Sequence, residues 1–139
     1  MKKKIVSYLA IVFTILLAVS SCKKDADKKA DQDLAASVTG QYEVNYIYLN
    51  GSEGSLPTDS ASAKVDVIKK DQSNVSLNLI VTKLGSAPDT RPLIDAALKE
   101  ENSTVNLYSG TDKVGTINGN DLEIHVIENN NELVVRAKK

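Results

Sequence analysis

The stretch VSLNLIVTK, Val75 to Lys83, decides the fold. Val75, Leu77, Leu79 and Val81 alternate with Ser76, Asn78, Ile80 and Thr82. Period two is the spacing of a strand with one face buried and one face wet. The same beat runs outward in both directions. Upstream, QYEVNYIYL (Gln41 to Leu49) sets Tyr42, Val44, Tyr46 and Tyr48 on one face, and AKVDV sets Ala63, Val65 and Val67 against Lys64 and Asp66. Downstream, TVNLY offers Val105 and Leu107, VGTI (Val114 to Ile117) is a short run, LEIHVIE alternates Leu122, Ile124 and Val126 with Glu123, His125 and Ile127, and ELVVRAK alternates Leu133, Val135 and Ala137 with Val134, Arg136 and Lys138.

Turn chemistry separates these runs. KKDQSN and SGTD are tight joints. Asn118-Gly119 predicts a type I′ hairpin turn, which needs positive φ at both central residues. Asn129 to Asn131 suits another reversal, because asparagine tolerates left-handed backbone angles. Short joints make neighbouring strands antiparallel, so the last four strands should form a meander. Two connections are longer. NGSEGSLPTDSAS reads as a polar loop after the first strand. GSAPDTRPLIDAALKEEN holds either a short helix starting near Pro92, with Leu93, Ile94, Ala97 and Leu98 as its apolar face, or an irregular strand over Pro92 to Ala97. About seven strands in roughly one hundred residues must hide one apolar face. The expected fold is all-β: a small antiparallel up-and-down barrel or a sandwich, with one short helix.

The N-terminal part is of another kind. Lys2, Lys3 and Lys4 precede Ile5 to Val19, an apolar run interrupted by Ser7 and Thr14. The run is shorter than the roughly 20 residues a bilayer-spanning helix needs, and the layout is that of a secretory leader. It ends in LAVSSC. Val19, Ser20, Ser21 and Cys22 resemble the lipobox of bacterial lipoproteins, which implies cleavage before Cys22 and attachment of diacylglycerol to its sulfur. More than one fatty chain is needed for stable anchoring, because a single chain holds only reversibly. Residue 23 is lysine, and lipoproteins kept in the inner membrane carry aspartate there, so the resemblance points to the outer membrane, on its periplasmic face or at the cell surface. Cys22 is the only cysteine, which excludes an internal disulfide.

Lys23 to Asp33 carries four lysines and four aspartates with no large apolar residue, a composition that does not repay the entropy of ordering. The chain therefore divides into a leader (1–21), a lipidated Cys22 with a flexible charged tether (22–37) and a β-barrel domain (38–139). Three of the seventeen basic residues leave with the leader, so the mature chain sets fourteen against eighteen acidic residues, a formal charge of −4. That balance, without a basic cluster, argues against nucleic acid as a partner.

VTGQYEV, the INGNDLEI hairpin and the terminal ELVVRAKK resemble small lipocalin-like lipoproteins, in which a Gly-x-aromatic strand opens the barrel and successive hairpins close it. The long lipocalin signature with its tryptophan is absent, and Tyr42 stands in its place. The resemblance implies a small antiparallel barrel able to hold a ligand.

No catalytic constellation accompanies it. His125 is the single histidine and lies on the polar face of its strand; the carboxylates show no ligand spacing for a metal, and no phosphate loop or nucleophile elbow is present. The sequence reading is a protein without enzyme activity, cofactor or metal. Tyr42, Tyr46, Tyr48 and Tyr108 are the aromatic residues of the mature chain. They are the candidate ligand-binding residues, each ring offering apolar area and a hydroxyl. The plainer account makes them the largest core pieces of a domain without Phe, Trp or Met, and it weighs more. Asp59-Ser60-Ala61 resembles an O-glycosylation acceptor of exported bacterial proteins, and the reading as an ordinary Asp/Ser turn weighs more. The expected function is a lipid-anchored envelope binding module for a small apolar or amphipathic molecule. The alternative is a structural or protein-interaction lipoprotein whose barrel is filled. The expected partners are the membrane through Cys22, a small apolar ligand and other envelope proteins.

Overall fold

The computed structural model describes residues 32–139. The leader, the lipobox with Cys22 and the tether as far as residue 31 lie outside the described residues. Asp33 to Lys139 form one compact unit. It begins with a short helix, α1 (Leu34–Val38), followed by β1 (Gly40–Leu49), β2 (Ser52–Ser55), β3 (Ala61–Lys69), β4 (Asn74–Lys83), β5 (Asp89–Glu101), β6 (Thr104–Ser109), β7 (Asp112–Asn118), β8 (Asp121–Glu128) and β9 (Asn131–Lys138). β1 pairs with β3 through Gly40–Glu43 and with β9 through Glu43–Leu49. That closes β1 and β3–β9 into an antiparallel eight-stranded barrel, with β2 as a ninth strand added to the far half of β1. The seven alternating runs of the sequence all lie in barrel strands, and β6 to β9 form the expected meander.

The eighth barrel strand is β5, and it corrects the helix expected near Pro92. Leu77 faces Ile94 while Asn78 faces Pro92, which leaves Leu93 as the extra residue of a β-bulge. Proline brings no N–H to a ladder, and a bulge is where a strand tolerates that. Beyond the bulge Ala96 and Leu98 are buried at strand spacing. The polar loop after β1 also contains a strand, β2, whose residues are all exposed. Asn50 and Gly51, both at positive φ, make its turn. The Asn118-Gly119 hairpin differs from expectation in detail: Asn118 stays in β7, and Gly119 and Asn120 are the central residues. Only Gly119 of that turn has positive φ, the requirement of a type II′ turn. Asn129 and Asn130 do both adopt positive φ.

One barrel end is sealed by α1. Asp33 accepts a hydrogen bond from Ala36 N (3.0 Å) as the N-cap and pairs with Lys69. Ala35 and Val38 are buried, and Ala35 N donates to the Gln72 carbonyl (3.1 Å) in the β3–β4 turn. The folded unit thus takes in Asp33 to Ser37, residues whose composition reads as tether. Tyr42 fills the floor of the barrel and its hydroxyl donates to the Val38 carbonyl (2.8 Å). The Lys139 ammonium sits 5.1 Å from the Tyr42 ring centre and donates to the Thr39 carbonyl (2.7 Å). Gly40 turns the chain between these groups at φ +136°, a conformation side chains rarely adopt.

Tyr42, Val65, Leu77, Leu107, Ile124 and Val135 have no water-accessible surface. An eight-stranded barrel is just wide enough for side chains to fill or to hold one small ligand, and this interior is filled. Toward the other end the core opens. Ile47, Val81, Ile94, Val126 and Leu133 are only partly buried there, and Leu49, Leu84 and Ile127 are exposed.

Candidate functional site

The barrel wall has a gap near its open end, where β6 and β7 part from their outer neighbours. β5 has thirteen residues, whereas β6 has six and β7 seven. β6 pairs with β5 only from Ala97 to Glu101, so β5 from Asp89 to Ala96 has no neighbour on that side. β7 pairs with β8 only from Gly115 to Asn118, so Asp112 to Val114 of β7 and His125 to Glu128 of β8 face the cleft without pairing to each other. The β6–β7 hairpin turns back at Gly110, at φ +61°. Beside it, lined by Asp112 to Val114, lies a cleft of about 540 Å³. Leu93 and Ile94 of β5 form one side, and Val126 and Ile127 of β8 the other. Val114, the extra residue of a bulge between β6 and β7, makes the floor. Ser109, Asp112, Lys113, His125 and Glu128 supply polar groups, so an apolar base meets a rim of both charges.

Gly115 holds this floor together. A Cβ there would run into the Glu123 carbonyl oxygen of β8 and press on the Leu107 side chain. A glycine within a strand marks such a close approach.

The four candidate tyrosines do not converge. A bulge at Asn45, between Val44 facing Ala137 and Tyr46 facing Arg136, reverses the faces of β1. Tyr42 and Val44 point into the core. Beyond the bulge Ile47 packs on the core, and Tyr46 and Tyr48 lie on the outer face. The shared face expected for Tyr42, Tyr46 and Tyr48 is therefore corrected. The Tyr46 hydroxyl donates to Glu53 (2.8 Å), and the Arg136 guanidinium lies 5.0 Å from its ring while donating to Glu123 (3.0 Å). The Glu53 carboxylate pushes the Tyr46 pKa up, and burial pushes that of Tyr42 up. Tyr108 lies on the outside of β6 with the Lys99 ammonium 4.8 Å from its ring. Tyr48 faces Val134 of β9 and Glu53 of β2.

His125 Nε2 lies 2.8 Å from Glu132 Oε1, an exposed cross-strand pair. Among the described residues no group of three or more His, Cys, Asp or Glu side chains converges as metal ligands do, and no helix is long and apolar enough to cross a membrane. Ser60 is exposed in the β2–β3 connection.

The cleft residues Leu93, Ile94, Val114 and Ile127 are the part that sequence reasoning misses. β5 outruns β6, and β7 leaves β8 at the Val114 bulge, features that show only once the strand pairing is known. No protein-family model, curated protein or solved structure matches the chain.

Proposed function

We propose that this is a lipid-anchored, non-enzymatic protein of the bacterial outer membrane that acts through the β5–β8 cleft, docking part of another envelope protein there. The observation that carries the docking role is the closed interior: water is excluded around Tyr42, Leu77 and Ile124, while the cleft presents apolar side chains on the wall. The anchor rests on LAVSSC and Cys22. An eight-stranded barrel opened by Gly40-x-Tyr42 supports the lipocalin-like reading, with the interior given over to packing. The test is a photo-crosslinking side chain placed at Ile127 and, separately, at Ile68, an exposed residue of β3 away from the cleft. In intact cells the Ile127 position should give discrete adducts that the Ile68 position does not; equal patterns overturn the reading. Fatty-acid labelling that persists in Cys22→Ser overturns the anchor.

A second reading keeps a small amphipathic molecule as the ligand, held in the cleft and not along the barrel axis. Its support is the volume, about 540 Å³, within the range of small-molecule sites at roughly 300–1,000 Å³, together with the mixed lining. Native mass spectrometry of protein from host membranes should then show a bound non-protein mass, absent in Val126→Trp.

A further inference from the structure

We propose that the cleft receives an extended polypeptide strand, which pairs with the free edge of β8 at His125–Glu128 where β7 turns away from it at Val114. The inference rests on the docking role of the cleft and names the chemistry of its occupant.

Backbone geometry carries the argument. The N–H and C=O groups along the open side of β8 beyond Ile124 are not paired with β7, whose Asp112–Val114 lie across the cleft from them. An edge of that kind is a template for another strand. Strands sit roughly 4.8 Å apart, and the cleft of about 540 Å³ lies directly against this edge. The two facing edges are not equivalent. β5 is blunted by Pro92, which has no N–H, and by the bulge at Leu93. β8 from His125 to Glu128 has neither a proline nor a bulge, and its ladder to β9 is regular. β8 is therefore the accepting edge, and Leu93 and Ile94 are the apolar wall opposite.

Side chains complete the fit. Val126 packs partly on the core, and Ile127 is 68% exposed. A strand beside them contacts both through alternate residues, since successive side chains point to opposite faces. Apolar residues at every second position would rest on Val126, Val114 and Ile94. β2 makes the contrast. Its sequence is Ser-Glu-Gly-Ser and all four residues are exposed, so it offers an incoming strand nothing apolar to bind.

The experiment uses the full lipidated chain in detergent micelles and a random ten-residue peptide library. The strongest binder is resynthesised with N-methyl groups on its odd residues, and separately on its even residues. A strand bound by one edge turns alternate N–H groups toward β8. One methylation pattern should weaken binding by roughly tenfold or more, and the other should leave it nearly unchanged. Ile127→Lys, at an exposed position, should weaken binding and leave the fold intact. Failure to select any binder overturns strand addition. So does equal binding of both methylated peptides. If methylation has no effect but Ile127→Lys still abolishes binding, the cleft remains the docking site and only the strand geometry is lost. If Ile127→Lys changes neither peptide binding nor the cellular crosslinks, the docking role fails as well.

Discussion

The sealed end and the gapped wall are made from the same kind of strand and end up opposite in character. At the sealed end each barrel strand is paired on both sides, α1 closes the opening, and Tyr42, Val38 and Ala35 are buried. At the gap the alternation continues in Val126 and Ile94, but β6 and β7 no longer pair with the strands that carry them. Hydrophobic pattern sets which way a side chain points. Pairing sets whether anything covers it. A barrel of small aliphatic residues can therefore be solid along its axis and still offer an apolar place on its side.

That contrast breaks if stability does not follow it. Tyr42→Ala removes the largest buried side chain and should cost about 3–5 kcal/mol, read as a fall in the urea midpoint at constant slope. Ile127→Ala at the cleft should cost less than about 0.5 kcal/mol. Similar losses at the two sites would mean that the cleft is covered within the free protein. Gly115→Ala should cost about 1–3 kcal/mol through its clash with the Glu123 carbonyl; it should also disturb amide resonances of β7 and β8 while leaving those of α1 in place. Tyr42→Phe keeps the packing and loses the hydrogen bond to Val38, so about 1 kcal/mol is expected.

The smallest effect is pH-dependent and belongs to the sealed end. Hydrogen bonding from Lys69, then from the Ala36 amide, holds the Asp33 carboxyl below the usual aspartate range. Asp71 is lowered by the Ser73 amide and the Asn74 side chain, and Asp95 by Lys70 and Ser76. Each folded-state pKa is depressed, so the associated stability is present above the unfolded value, roughly 3.9, and fades as pH falls through the lower folded value. Hydrogen exchange at Ala36 and Ser73 should quicken below about pH 4, ahead of exchange in β8. Simultaneous loosening of both regions would erase the distinction.

Legibility followed exposure to the core. Seven strands could be read because one face of each is buried and the other is wet. β5 resisted because Leu93, Ile94, Ala97 and Leu98 also fit a helical face, and Ala, Leu, Lys and Glu favour helices; pairing with β4 overrode that preference. β2 adds nothing to the core, so it has no apolar face to read, although Asn50-Gly51 marks its turn. α1 hid in a charged segment, yet Asp33 followed by Leu34, Ala35 and Val38 is a capped apolar stripe in retrospect. The tyrosine face failed at a single residue, Asn45, because nothing local announces a bulge. The cleft arises from a difference between strands far apart in sequence.

Both ends of the folded unit lie at the sealed end: α1 leads into β1 there, and Lys139 reaches back across Tyr42 to Thr39. Tension arriving through the residues before Asp33 first meets the Asp33–Lys69 pair and the Ala35–Gln72 bond. It next loads β1 along its length, between β3 and β9. Strands gripped this way must slide with many ladder bonds breaking together, so a pull on α1 would meet the barrel where its ladders resist together. The far rim stays out of the path of the force.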